Sequence, residues 1–165
     1  MPFVSADKDG PLRALAESAP HSRYLADLLA TSLLWIHYDA GRYEAGLPAL
    51  QTFLARYPQN RAYRAMLADF RFRQGKLDSA LGIHLALITE YQALGAQFPP
   101  PAYLPIGYLC SVGNLAKIYS AQKRPDLLER QLAIWNSPRY VGTVGIREWL
   151  PPSLVREVGA LKKAK

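Results

Sequence analysis

Two six-residue stretches decide the fold: Ala40-Gly41-Arg42-Tyr43-Glu44-Ala45 and Gln74-Gly75-Lys76-Leu77-Asp78-Ser79. Their glycines are 34 residues apart, and apolar residues on both sides align at the same offset. The aligned pairs are Leu33 with Leu67, Leu34 with Ala68, Tyr43 with Leu77, Leu47 with Leu81, Phe53 with Leu87, and Leu54 with Ile88. An internal period of this length indicates a supersecondary unit that is repeated along the chain.

Each unit is predicted to be two helices joined by a tight turn. Apolar residues recur at three- and four-residue steps before and after each glycine, which is the helical period. In the first unit these residues are Leu29, Leu33 and Ile36, then Leu47, Leu50 and Leu54. The glycine stands where the first helix must stop, a place that favours a positive φ. Pro58 is expected to end the second helix, and Asn60 starts the next connection.

Composition favours one globular domain with a packed core. The chain has 165 residues, of which 50% are hydrophobic and 20% charged. The single cysteine, Cys110, cannot form an internal disulfide and is expected to be a small buried hydrophobe. Neither a signal peptide at the N-terminus nor a membrane span is predicted, which implies a cytoplasmic protein if the chain is complete. The formal charge of +7 favours acidic partners.

The repeat resembles the tetratricopeptide repeat (TPR) family. In the first unit the small, aromatic and proline positions of the family are matched by Leu33-Leu34, Gly41-Arg42-Tyr43, Gly46-Leu47, Phe53-Leu54 and Pro58-Gln59-Asn60. The second unit repeats them with Leu67-Ala68, Gly75, Leu77, Ala80-Leu81 and Leu87-Ile88. A looser third copy begins with Asn114-Leu115-Ala116-Lys117-Ile118-Tyr119. In this copy Lys123 replaces the usual glycine and Pro125 opens the next helix, so the register of its second helix is less well defined.

The resemblance implies an all-α fold, a TPR-like helical-hairpin solenoid (a right-handed superhelix) with a C-terminal capping helix. The expected segments are a short-helix N-terminal segment at 1–21, repeats within 22–135 (27–60, 61–94 and 106–137, with a Pro-rich loop at 95–105), and an irregular linker with the capping helix at 136–165. Asp9 and Ser22 are predicted N-caps. The capping helix, Leu154 to Lys163, carries an apolar stripe of Leu154, Val158 and Leu161 that would cover the last repeat.

No motif for catalysis, metal binding or phosphate binding is found, so no cofactor and no enzymatic activity are predicted. His21, His37 and His84 do not have the spacing of zinc ligands, and no glycine-rich phosphate loop is present. His37 and His84 fall on apolar helix faces, and each is expected to be a hydrogen-bonded histidine between helices.

A basic run extends from Arg56 to Lys76 and contains six cations against one acid, Asp69. A solvated helix face explains most such runs. The alternative is nucleic-acid binding, which requires a continuous stripe of phosphate contacts and shows strong salt dependence.

In the TPR family the first helix of each hairpin lines a concave binding face. Carried over to this chain, the family's pattern places on that face Thr31, Trp35, Tyr38, Asp39, Met66, Asp69, Phe72, Arg73, Asn114, Lys117 and Ala121. Such a surface would bind a peptide segment of a partner protein, with Trp35, Tyr38 and Phe72 as apolar anchors. Asp69, Arg73 and Lys117 would set the polarity and register of that segment.

Several alternatives stay open. Trp35 and Phe72 could instead pack against a neighbouring segment of the same chain. The chain could also be an accessory domain of a larger enzyme or assembly factor. A carboxylate-clamp co-chaperone is disfavoured, because Thr31, Trp35, Met66 and Cys110 occupy four of its five positions and Asn114 alone is suitably polar. The sequence does not define the oligomeric state.

Overall fold

The computed structural model describes residues 10, 13–14, 17, 26–97, 106–138, 148 and 150–161. Within these residues the fold is all-α, as predicted, and no strand is present. The helices are α1 (Ala26–Asp39), α2 (Tyr43–Arg56), α3 (Arg61–Arg73), α4 (Leu77–Gln97), α5 (Ile106–Ala121), α6 (Pro125–Trp135) and α7 (Pro152–Leu161). The predicted N-caps Asp9 and Ser22, most of the N-terminal segment, and residues 98–105 and 139–147 lie outside the described part of the chain.

The chain divides into two compact units, Met1–Pro58 and Gln59–Lys165, where composition predicted one domain. In the first unit α1 packs against α2. In the second unit α3 packs against α4, α4 against α5, and α5 against α6. Helix α5 also contacts α3 and α7, and its residues from Ser111 to Tyr119 are all buried. The second unit is therefore built around α5.

The turns that follow α1, α3 and α5 have the same backbone geometry. Gly41, Gly75 and Lys123 all have positive φ, at 71°, 74° and 55°. In each turn this residue donates its N–H to the carbonyl three residues earlier, and the next residue donates to the carbonyl five residues before it. These two bonds define a Schellman motif, which satisfies the free carbonyls at a helix end. The helix–turn–helix unit predicted from the sequence is thus present three times in the described part of the chain.

Burial repeats along with the turns. Seven residues before the left-handed turn residue stand Leu34, Ala68 and Ala116, all fully buried. The position nine residues after it is buried too, and is occupied by Leu50, His84 and Leu132. The same holds three residues further on, for Phe53, Leu87 and Trp135. This alignment fixes the register of α6, which the sequence left less well defined.

Most of the predicted helix ends agree with the structure, with one exception. Helix α2 ends at Arg56, two residues before Pro58, and Asn60 caps α3 by accepting the N–H groups of Ala62 and Tyr63 at 3.0 and 3.2 Å. Helix α4, however, runs through Gln97, so the interpretation of Gly95–Gln97 as loop is wrong. The first proline of that segment is Pro99, whose steric effect reaches back one residue.

The C-terminal helix completes the core of the second unit. Leu154 and Val158 of α7 are buried against Leu109, Val112 and Ala116 of α5, together with Leu132 and Trp135 of α6, and Leu161 packs at the edge of this cluster. The predicted apolar stripe is confirmed. Helices α6 and α7 both approach α5 closely at Gly113, where an added Cβ would lie 2.7 Å from the Trp135 ring of α6 and 3.3 Å from the Leu154 side chain of α7.

None of the helices in the described ranges is long and apolar enough to cross a membrane.

Candidate functional site

Four of the predicted site residues come together in the second unit, around a carboxylate that the prediction did not include. Arg73 of α3 donates to Glu157 of α7 at 2.7 Å, and the Lys117 Nζ of α5 reaches the other carboxylate oxygen at 2.6 Å. Lys117 also donates to the Asn114 Oδ1 at 3.1 Å. Both cations lie near the Phe72 ring, with Arg73 Cζ 5.9 Å and Lys117 Nζ 5.1 Å from its centroid. We call these five residues the polar cluster.

Lys117 is the buried cation of the polar cluster, with a side chain that is 9% exposed. A buried ammonium group is costly unless it is paired and hydrogen-bonded. Here it has the Glu157 carboxylate, the Asn114 carbonyl oxygen and the face of the Phe72 ring, whose centroid is 5.1 Å away. The last contact is a cation–π interaction, which strengthens as water is removed. Lys117 is therefore held in place from three sides.

The carboxylate of Glu157 stays ionised because of its two cations. Burial raises the pKa of Glu157, but hydrogen bonds from Lys117 and Arg73 and their positive charges lower it by more, so the pKa falls below its ordinary value. The cluster then carries two positive charges and one negative charge.

The accessible side of the polar cluster is formed by α3. Arg73 is partly open to solvent, and its guanidinium carbon lies 5.9 Å from the centroid of the Phe72 ring. Phe72 is half-buried and packs against the cluster of Ala80, Leu115, Ile118 and Tyr119. The alternative in which Phe72 packs within its own chain is thus partly realised. Its uncovered part and Arg73 form one amphipathic surface.

Glu157 could have been recognised as a site residue from the sequence, because it lies beside the apolar stripe of Leu154, Val158 and Leu161. It lies next to Val158 and three residues after Leu154, so it flanks the buried face of α7, and it is the one acid in that helix. A flanking carboxylate of this kind commonly pairs with cations of the helix it covers. What the sequence does not tell is that those cations belong to α3 and α5.

Asp69 lies one helical turn before Arg73 on α3 and is partly buried. Burial, with a smaller contribution from the negative charge of Asp69, raises the pKa of the Cys110 thiol to about 11. A thiol with such a pKa is protonated at neutral pH and is a poor nucleophile. Cys110 packs against the α5–α6–α7 core, in keeping with the small-hydrophobe interpretation.

His84 is buried between helices as predicted, but the expected hydrogen bonds are absent. Its exposure is 1%, and neither ring nitrogen has a partner among the described residues. The reason is positional, because His84 takes the core place that Leu50 takes in the first hairpin. Burial, helped by the charge of Lys117, lowers the pKa of His84 to about 4. The Nδ1 of His37 is likewise buried without a partner in the described part of the chain.

Three predicted site residues belong to the first unit. Trp35 is 49% exposed, and its ring meets Tyr38 edge to face at 5.9 Å. Tyr38 in turn contacts Tyr43 across the turn at 5.9 Å, so the three aromatic rings form a row. Thr31 is half-buried and donates its hydroxyl to the Asp27 carbonyl at 2.7 Å. Trp35 therefore offers exposed aromatic surface supported from one side.

The remaining residues of the predicted face differ among themselves. Met66 is buried in the core, whereas Ala121 is exposed. The side chain of Asp39 lies outside the described part of the chain. Asn114 and Lys117 are both buried, so they line the floor of any binding surface and do not project from it.

The basic run is largely neutralised by acids from elsewhere in the sequence. Arg56 pairs with Asp27, and Arg61 and Arg64 both pair with Glu90, as Arg73 does with Glu157. Arg71 donates to the Gln74 side chain at 3.3 Å. The run is therefore a set of ion pairs distributed over several helices.

Among the described residues, no three His, Cys, Asp or Glu side chains meet in a way that could hold a metal ion. Comparison with known proteins finds no matching family model, no matching curated protein and no matching solved structure.

Proposed function

We propose that this chain is a non-catalytic protein-interaction module that binds a peptide segment of a partner protein on the α3–α5 side of its second unit. The observation that carries the proposal is the polar cluster. Predicted site residues from two helices converge there on an accessible aromatic ring and an accessible arginine. Aromatic and arginine side chains are the groups that most often dominate binding energy at protein interfaces.

The proposed architecture is a TPR-like solenoid with α7 as its cap. Three Schellman turns of the same geometry and the recurring buried positions support it. In the second unit α3 and α5, the first helices of successive hairpins, are in contact, as stacked hairpins require. Such stacks present a rigid surface, which lowers the entropic cost of binding an extended partner.

Phe72 is the proposed apolar anchor and Arg73 the proposed polar one. The Phe72 ring is fixed from below by Lys117 and from behind by the α4–α5 core, so little rotamer freedom is lost when a partner covers it. Arg73 is oriented by Glu157. In the first unit the exposed Trp35, supported by Tyr38, is proposed as a separate apolar contact.

Nucleic-acid binding is the weaker alternative. It needs a continuous row of cations free to contact phosphates. In the basic run Arg56, Arg61, Arg64 and Arg73 are instead paired with carboxylates. A phosphate backbone lying along this run would have to displace Asp27, Glu90 and Glu157 together, whereas a peptide on the α3–α5 surface meets Glu157 alone of these three acids.

The test is selection of binders from a phage-displayed library of random 16-residue peptides on the immobilised full chain. The tightest peptide is labelled with fluorescein, and its affinity is measured by anisotropy for Phe72→Ala and Arg73→Gln. We expect each substitution to weaken binding about 30-fold, the size of a hot-spot loss. Leu85→Ala is the matched control, because Leu85 is an exposed apolar residue of α4.

Circular dichroism establishes that each variant is folded, and Phe72→Leu replaces Phe72→Ala if the latter is not. The proposal fails if no peptide is selected. It also fails if the selected peptides lose as much affinity with Leu85→Ala as with Arg73→Gln.

A further inference from the structure

Two carboxylates of the second unit are about equally exposed, and each pairs with two cations, but they lie on different helices. Glu157 bridges Arg73 and Lys117, while Glu90 bridges Arg61 and Arg64, and their side chains are 34% and 32% exposed. Glu90 belongs to α4, whereas Glu157 reaches from α7 into the proposed binding surface of α3 and α5. The chain thus supplies an acid of its own to its proposed partner site.

The Glu157 side chain can leave this place without moving its helix. Helix α7 is anchored by Leu154 and Val158, which are buried in the core. Glu157 itself stands at the edge of that contact and is partly open to water. Its side chain has several rotatable bonds and regains rotamer freedom when it is released. Exchange of one carboxylate for another therefore needs only a rotamer change.

Lys117 would lose its carboxylate partner if Glu157 left and nothing replaced it. Leaving a buried cation unpaired is strongly unfavourable. The ligand that removes this penalty must carry a negative charge and reach both cations past the Phe72 ring. An aspartate or glutamate side chain beside an apolar residue has that chemistry, since the apolar residue can cover Phe72.

We propose, on the basis of the proposed function, that Glu157 acts as an internal competitor, holding the place of an acidic side chain of the partner segment. Binding then exchanges one carboxylate for another at Arg73 and Lys117. The exchange sets a threshold, because a partner segment that has no acid at this point cannot release Glu157 without leaving the buried Lys117 without a carboxylate. Glu157 thereby selects acidic segments and lowers the affinity with which they bind.

The test compares Glu157→Gln with the matched control Glu90→Gln, which changes the net charge equally. The probes are the tightest peptide from the library selection and the same peptide with each Asp and Glu changed to Asn and Gln. The inference requires the selected peptide to contain Asp or Glu, and a selected peptide with neither would overturn it. Glu157→Gln removes the competitor, so this acidic peptide should bind on the order of tenfold tighter. Glu90→Gln should leave the affinity within about twofold. The neutral peptide should gain nothing from either substitution.

The inference is overturned if Glu157→Gln leaves the affinity for the acidic peptide unchanged or weakens it while the selected peptides still bind through Phe72 and Arg73. In that case the proposed function stands and Glu157 is only a clamp for α7. Equal gains from Glu157→Gln and Glu90→Gln would also overturn it, since net charge alone would then be responsible. Thermal unfolding of both variants shows that folded protein is compared. Glu157→Ala repeats the test without the amide.

Discussion

Lys123 occupies in the third hairpin the backbone position that Gly75 occupies in the second. Both residues have positive φ, 55° and 74°, and both donate to the carbonyl three residues earlier. A lysine in this conformation has its Cβ close to a carbonyl oxygen, which costs an L-residue about 1–2 kcal/mol. Glycine has no such cost. The third hairpin is therefore closed by a strained turn of otherwise identical geometry.

Replacing Lys123 with glycine should accordingly stabilise the protein. We expect Lys123→Gly to raise the free energy of unfolding by about 0.5–1 kcal/mol, because the relieved strain exceeds the extra backbone freedom of glycine in the unfolded chain. Urea denaturation followed by circular dichroism measures the change. In the opposite direction, Gly75→Ala should destabilise by about 1 kcal/mol. A destabilised Lys123→Gly variant would contradict the assigned turn.

His84 makes the stability of the fold depend on pH. Its pKa is lowered from 6.5 to about 4 in the folded chain, so the unfolded chain takes up a proton first as the pH falls. The contribution of neutral His84 to the free energy of unfolding is complete above pH 6.5 and is lost progressively as the pH falls from 6.5 to 4. His84→Leu removes this proton uptake. Between pH 7 and 5 the wild-type chain should lose about 2 kcal/mol more than the variant.

The pH range for the His84 measurement separates it from Glu157. The lowered pKa of Glu157 gives stability that is present above the unfolded value of 4.5 and lost as the pH falls through the folded value. Above pH 5 the Glu157 carboxylate contributes little to the change of the free energy of unfolding with pH. If the free energy of unfolding changes equally between pH 7 and 5 in the wild type and in His84→Leu, His84 is not buried as described.

The Lys117–Glu157 pair should couple more strongly than an exposed pair. We expect a double-mutant cycle of Lys117→Met and Glu157→Gln to give a coupling free energy on the order of 1–3 kcal/mol, because the Lys117 side chain is 9% exposed. The Arg124–Asp126 pair, at 3.8 Å with both side chains more than half exposed, is the control. Its cycle should give at most about 0.5 kcal/mol. Equal coupling in the two cycles would place Lys117 at the surface.

Two glycines of the second unit should respond oppositely to alanine. A Cβ at Gly113 would lie 2.7 Å from the Trp135 ring, so Gly113→Ala should destabilise by about 1–3 kcal/mol. A Cβ at Gly159 meets nothing within 4 Å, and Gly159→Ala should stabilise α7 by up to about 1 kcal/mol. Thermal unfolding ranks the two variants. A neutral Gly113→Ala would mean that α5 and α6 are farther apart than described.

The hairpin units and their turns could be predicted because they depend on local chemistry. The helical period, the glycines and Pro58 act on their own neighbourhoods, and Asn60 caps the helix that follows it. The strain at Lys123 and the hydrogen-bond-free state of His84 could not be predicted in this way. The alignment of the copies shows Lys123 in place of the usual glycine. Residue type alone does not predict that Lys123 keeps the positive φ, nor that His84 takes a core position without a hydrogen-bond partner among the described residues.

The polar cluster was predictable in part. Phe72, Arg73, Asn114 and Lys117 follow from the resemblance of the sequence to the TPR family. Their burial and their shared acid do not, because Glu157 belongs to a helix outside the repeats. Side-chain pairs that join elements 40 or more residues apart, such as Lys117 and Glu157, depend on the packing of α7 and leave no periodic signal.

The most direct test of peptide binding at the polar cluster is an amide ¹H–¹⁵N chemical-shift titration of the full chain with the selected acidic peptide. We predict that the largest shifts fall in two stretches, Asp69 to Arg73 of α3 and Cys110 to Lys117 of α5, and at Glu157. The amide chemical shifts of the exposed α4 face around Leu85 should remain unchanged. Saturable shifts concentrated around Leu85, with α3 and α5 unaffected, would contradict the account.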